Sequence, residues 1–206
     1  MMTWLRELSM VPAVLLGLVG VLILVLNRRI LILFLVSGQY LLAAWLMLGV
    51  AQLESAGALL LAGLLAVFML FLSLRLTHFP IREAYDSAFP SNLVFRISVG
   101  FLGVLASIGA LRAQIVQFSA LDPMYVLGGI FTMILGLMQL SLTRSHFRIA
   151  IGLLGTLTGF STLYIAVEPS LAVVALLALV HLGVALTCSY ILLQSTGQGA
   201  PENLTP

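Results

Sequence analysis

Charge is what this chain has least of. Only 8% of its residues are charged, and although nine arginines are present there is no lysine anywhere. Apolar residues make up 62% of the chain and the mean hydropathy is +1.20, more apolar surface than a water-soluble globule can cover with polar groups. The formal net charge of +2 is too small for nucleic-acid recognition, so the basic residues read as topology signals. A single cysteine, Cys188, excludes an internal disulfide and any cysteine-based zinc or iron–sulfur site within one chain. It reads as a small apolar residue of the last helix. Enzymatic signatures are missing too, with no Walker A loop, no dinucleotide-binding glycine fingerprint and no His-Glu-x-x-His run. The expectation is a protein with no active site, cofactor or metal of its own.

What the chain does have is long apolar runs. A helix needs about 20 apolar residues to cross a hydrocarbon core about 30 Å thick. Seven stretches approach that length: Ser9–Leu26, Ile30–Val50, Ala58–Leu76, Leu93–Leu111, Met124–Leu142, Phe147–Val167 and Ser170–Gln194. The punctuation between them is short. Asn27-Arg28-Arg29 divides the first two, Glu54 to Gly57 the next pair, and Glu168-Pro169 the last pair, with the proline suited to the first turn of the returning helix. Thr77 to Asn92 carries Pro80, Pro90 and both signs of charge, as an exposed loop should. Arg6 ahead of the apolar run Met10–Leu26 could flank a signal peptide, but no small-x-small cleavage site follows, so the run is expected to stay as a transmembrane helix. The fold class expected is an all-α, polytopic transmembrane bundle, one domain over residues 1–195, followed by a disordered polar tail over 196–206.

Seven crossings put the termini on opposite faces. With the N-terminus outside, Arg28, Arg29, Arg75, Arg82, Arg96, Arg144 and Arg148 share one face, leaving Arg6 and Arg112 on the other. The positive-inside rule then makes the arginine-rich face cytoplasmic, in the inner (plasma) membrane. Arg29 to Glu54 and Arg144 to Glu168 repeat the same spacing from basic end to acidic turn. The chain therefore reads as two parallel three-helix repeats, about 9–76 and 124–194, joined by a linking helix at about 93–111. Inverted repeats are a common basis of alternating access, and this repeat is not inverted.

Ionisable groups at mid-membrane depth cost about 2.5–3.5 kcal/mol each by insertion scales, and this sequence all but avoids them. Glu54 and Glu168 fall in turns, Asp122 precedes a proline in a loop, and Arg75, Arg96, Arg112 and Arg148 lie near helix ends where they can snorkel. His181 is the exception, flanked by Val180 and Leu182. It could ligate a tetrapyrrole metal or relay a proton, though with no second histidine inside the membrane a hydrogen bond to a neighbouring helix is the reading preferred. Gln39 lies about 15 Å into the second helix at 1.5 Å per residue; its amide can bridge helices or order a water, but cannot titrate. Ser37, Thr156, Thr158, Ser161 and Thr162 add polar contacts, and Gly155 and Gly159 make a small-xxx-small face. These read as helix-packing glue rather than a substrate path.

The run Arg28-Arg29-Ile30-Leu31-Ile32-Leu33-Phe34-Leu35-Val36-Ser37-Gly38-Gln39 resembles the K-type small membrane subunit of respiratory complex I, in which paired arginines precede a helix bearing a proton-relaying glutamate. The doubled arrangement looks more like component E of hydrogenase-4, a larger relative, with Arg144 through Glu168-Pro169 to Leu193 similar to its C-terminal half. At the glutamate position stands Gln39, and the corresponding part of the sixth helix offers only Thr156, Leu157, Thr158 and Gly159. The resemblance therefore implies a structural subunit lacking the acidic relay, packed among antiporter-like membrane subunits in the bilayer. Two other readings stay open: a small secondary transporter with Gln39, Ser37, Thr158 and Tyr164 along its path, and a tetrapyrrole-binding subunit using His181.

Overall fold

A backbone in hydrocarbon has no water to satisfy its N–H and C=O groups, and a continuous α-helix closes those bonds within each segment. The computed structural model describes residues 2–49, 53–76, 93–114, 121–143 and 145–197. These form α1 (Met2–Val25), α2 (Arg29–Met47), α3 (Leu53–Leu76), α4 (Leu93–Gln114), α5 (Pro123–Ser141), α6 (His146–Val167) and α7 (Leu171–Gly197). There is no strand among the described residues. Six helices, α2 to α7, are long and apolar enough to cross a membrane, while the apolar stretch of α1, Met10–Val25, is shorter. The chain is a multi-pass helical membrane protein. Arg144, the 77–92 connection and the tail after residue 197 lie outside the described residues.

Several boundaries differ from the sequence reading. Helix α3 begins at Leu53 rather than Ala58, so Glu54 sits in its first turn and not in a preceding turn; a carboxylate there faces the positive end of the helix dipole, and Ser55 and Ala56 just after it are buried. Asp122 is the N-cap of α5 rather than a loop residue. Its carboxylate accepts from the Met124 N–H at 3.2 Å, with Pro123 at the first helical position, where its missing N–H costs nothing. Pro169 lies before α7 instead of in its first turn. The hydroxyl of Ser170 accepts from the Val173 N–H at 3.4 Å, and its carbonyl accepts from Val174. Helix α1 starts at Met2, not Ser9, and contains Pro12. Helix α7 runs to Gly197, through the first residues expected to be tail.

The two sets of three helices pair alike. α1 packs on α2 and α2 on α3, as α5 packs on α6 and α6 on α7, and the equivalent helices meet across the centre: α1 with α5, α2 with α6, α3 with α7. That is the pattern a two-fold axis along the helices would give. Among the described residues helix α4 packs mainly against α1 and α5 and presents Val94, Phe101 and Leu102 outward, as a lipid-facing helix should. Alternating helix directions gather Arg28, Arg29, Arg75, Arg96 and Arg148 at one end of the bundle and Glu54, Asp122 and Glu168 at the other.

Apolar burial gives little drive to associate when the surroundings are themselves apolar, so close packing must hold the helices together. The tightest seam is α5 against α6. A methyl group added at Gly159 would sit 2.6 Å from the Gly129 carbonyl oxygen, one at Gly136 would sit 2.7 Å from Thr156 Oγ1, and one at Gly152 would sit 3.0 Å from the Gly136 carbonyl oxygen. Glycine is required at these places because backbone meets backbone. Near the acidic end, the Tyr125 hydroxyl adds a hydrogen bond across the same seam to the Thr162 carbonyl. On the opposite flank, Ser73 of α3 donates to the Ser189 carbonyl of α7 at 3.0 Å.

This seam generates a paired test. Gly159→Ala should lower the thermal midpoint of the detergent-purified protein, at a cost of about 1–3 kcal/mol for overpacking. Gly109→Ala on α4, where an added methyl meets nothing within 4 Å, should leave stability unchanged or raise it by about 0.5–1 kcal/mol. Equal midpoints for the two variants would show that the seam does not limit stability.

Candidate functional site

Two apolar clusters fill the interior. One, toward the basic end, is built on Ile32, Val36, Leu70, Phe147 and Leu154. The other, toward the acidic end, is built on Leu16, Met47, Leu59, Tyr125 and Ile165. Between them lies a layer of buried polar side chains near mid-helix. Helix α2 supplies Gln39 and Tyr40, α6 supplies Thr158, and α7 supplies His181. Glycines make room for it. The Tyr40 ring lies directly over Gly63 of α3, where any added methyl would overlap the ring, and the Gln39 amide faces α6 at Gly155, with Nε2 3.6 Å from the point a methyl would occupy.

His181 is fully buried, and Nδ1 contacts the carbonyl of Leu177 in its own helix at 2.8 Å. The expected hydrogen bond to a neighbouring helix is not what forms, because the carbonyl one turn back is already within reach. A carbonyl can only accept, so Nδ1 carries the proton and Nε2 presents a lone pair. That lone pair has no partner, and neither does the buried hydroxyl of Tyr40. The two rings meet edge to face with centroids 5.9 Å apart. A buried donor and a buried acceptor thus sit on touching rings, each unsatisfied, where such groups are normally paired. The Tyr40 hydroxyl lies toward Thr158, whose own hydroxyl donates to the Leu154 carbonyl at 2.7 Å.

Three more intramembrane hydroxyls are settled within their own helices. Ser37, Thr156 and Thr162 each donate to the carbonyl four residues back, at 3.0, 2.8 and 2.8 Å. They are therefore not interhelical polar links; they serve as small volumes at crowded crossings, with their polarity settled locally. The Ser161 hydroxyl is buried without a partner. Ser37 is only half-buried and stands apart from the mid-helix layer. Tyr164 faces outward, stacked on Phe160 at 5.5 Å, so the four residues of the transporter reading do not line one path. For the tetrapyrrole reading, His181 Nε2 is chemically available, but the Tyr40 ring already packs against the imidazole.

Sequence reasoning passed over Tyr40, the buried Gln139 of α5 and Asn27 of the α1–α2 turn. Tyr40 could have been found from its place beside Gln39. Asn27 organises the basic end of the bundle: its side-chain oxygen accepts from Arg96 of α4 and from Arg148 of α6, both at 2.6 Å, and Arg148 also donates to the Leu26 carbonyl at 2.7 Å. Two donors on one oxygen bring the guanidinium groups of α4 and α6 to the same point. Arg28 beside them is exposed and caps α2 without a side-chain bond, and Arg29 is half-buried. Arg75 lies over its own helix's Phe71 ring at 5.3 Å. Glu54 and Glu168 are exposed at the far end.

Among the described residues no group of three or more histidine, cysteine or acidic side chains is placed to hold a metal. No protein-family model, curated protein or solved structure matches the chain.

The unpaired hydroxyl gives a direct prediction. Tyr40→Phe keeps the ring over Gly63 and removes an unsatisfied group, so its unfolding free energy should stay within about 1 kcal/mol of the parent. Tyr40→Ala should cost about 3–5 kcal/mol through the cavity it leaves. Thermal unfolding in detergent distinguishes the two, and a Phe variant as damaged as the Ala variant would mean that the hydroxyl holds something in place.

Proposed function

We propose that this protein is a non-catalytic membrane subunit of an ion-translocating, energy-converting complex of the complex I and group-4 hydrogenase kind. In that role it scaffolds neighbouring antiporter-like subunits in the inner (plasma) membrane, with its N-terminus outside and its C-terminus in the cytoplasm. The observation that carries this reading is the composition of the buried polar layer. Among the described residues its members are glutamine, tyrosine, serine, threonine and one histidine, with no carboxylate. Gln39 is buried in the interior, and on the resemblance to the K-type subunit it would take the place of that subunit's glutamate. An amide there can hold helices in register, but it has no proton to pass on. The like-with-like pairing of the two repeats supports a rigid spacer, and the separation of arginines from acids supports the orientation.

The unsatisfied Tyr40 and His181 atoms favour a second reading, a small secondary transporter taking a polar solute through the mid-helix layer. Transport by the isolated protein in liposomes that is abolished by Gln39→Leu would establish it and displace the first.

Extraction from the native membrane in mild detergent should recover the protein with larger membrane partners, as read by native gel and mass spectrometry. Recovery only as a lone monomer would sink the scaffold reading. Gln39→Glu should fold and assemble, yet give no proton flux in proteoliposomes above the parent's, because one carboxylate does not make a relay. Flux switched on by that change alone would show that the remaining path already exists.

A further inference from the structure

We infer that the Tyr40 hydroxyl is a two-way link at mid-membrane depth: its single proton goes either toward Thr158 of α6 or to Nε2 of His181 on α7, and the two choices belong to two seatings of α7 in the bundle. One donor stands near two acceptors. The Thr158 hydroxyl spends its own proton on the Leu154 carbonyl at 2.7 Å, which leaves it lone pairs for the Tyr40 hydroxyl that lies toward it. Nε2 of His181 also offers a lone pair, because Nδ1 is committed to the Leu177 carbonyl at 2.8 Å. The Tyr40 hydroxyl and Nε2 are both buried without a hydrogen-bond partner, on rings whose centroids lie 5.9 Å apart. Unmade bonds of this kind are costly in an interior, so a seating that joins the two atoms lies close in free energy to the one observed.

Neither ring is free to make the change alone. Tyr40 lies over Gly63 of α3, where an added methyl would overlap it, and the imidazole is held to its own helix through Nδ1. The change of partner is therefore a shift of α7 as a body against α2 and α3. The packing of that flank permits one. Gly183, close beside His181 in the chain, has nothing within 4 Å of an added methyl, in contrast to the backbone contacts that lock α5 to α6. About two turns further along α7, Ser189 accepts from Ser73 of α3 through its carbonyl at 3.0 Å, and it also carries a buried hydroxyl with no partner. A short slide of α7 thus changes the acceptor at two depths, from Thr158 to His181 for Tyr40 and from carbonyl to hydroxyl of Ser189 for Ser73, without stranding either donor.

The test reads Nε2 directly, by nitrogen NMR of the full chain with isotope-labelled histidine, in detergent micelles at about pH 8, above the ordinary histidine range. His78→Gln and His146→Gln together leave His181 as the histidine observed. Its Nε2 resonance should occupy two positions, or one position that moves with temperature. Tyr40→Phe, which keeps the ring over Gly63, should remove the hydrogen-bonded position or abolish the movement. Thr158→Val takes away the competing acceptor and should raise the hydrogen-bonded share about twofold or more. A single position that ignores temperature overturns the two seatings before Tyr40 or Thr158 is touched, so a poorly folding variant does not protect the proposal. Two positions that both persist in Tyr40→Phe overturn the assignment to its hydroxyl. An unchanged or smaller bonded share in Thr158→Val overturns the competition between the two acceptors.

Discussion

Where α5 crosses α6 the two backbones come so near that a single methyl group at Gly159 would collide with the Gly129 carbonyl. In a bilayer, dispersion contacts of this kind must do what apolar burial does in water, and they fall away steeply with distance. The rest of the bundle is arranged around that seam. α1 lies on α5, α2 reaches α6 through the Gln39 amide at Gly155, and α7 lies along α6 and α3. If the seam opened, the partners of both central helices would lose their registration together.

The interior is divided by depth rather than by helix. Apolar clusters occupy the two halves, and the polar layer separates them. Most hydroxyls in the spanning helices are settled by carbonyls of their own helix, as at Ser37, Thr132, Thr156, Thr158 and Thr162. Besides Ser55, Gln139, Ser161 and Ser189, this leaves Tyr40 and His181 with buried polar atoms that have no partner among the described residues. Both lie on contacts between non-consecutive elements, α2 with α7, which gives the mid-depth layer a character that neither hairpin has alone.

Much of this was readable from residue order, and the parts that were not have physical reasons. The seven helices follow from the spacing of Arg28-Arg29, Glu54, Asp122, Arg148 and Glu168 among apolar runs, because a bilayer fixes the length a span must have. Gly155 and Gly159 pointed to a close crossing, and the crossing is there. The partner face, Gly129 and Gly136, was not identified, since a glycine in one helix does not say which neighbour approaches it. Helix starts were placed late at α1 and α3, because polar residues such as Glu54 are as much at home in a first turn as in a loop. The partner of His181 was misjudged for a related reason: a side chain's own backbone competes with every neighbouring helix, and sequence spacing does not rank the two. Asn27 reads in the sequence as no more than part of the break between two helices, because its role depends on Arg96 and Arg148, distant in the chain and brought together only by the fold.

Helix length carries one more consequence. The two 19-residue helices, α2 and α5, are each about 28 Å long at 1.5 Å per residue, close to the thickness of the oily layer itself. Their neighbours α3 and α7 have apolar segments of 24 residues, about 36 Å each. A shared slab cannot suit both sets standing upright. The α3–α7 flank must therefore lean or draw the adjacent leaflets apart, so the lipids around this protein meet a thicker wall on one side than on the other.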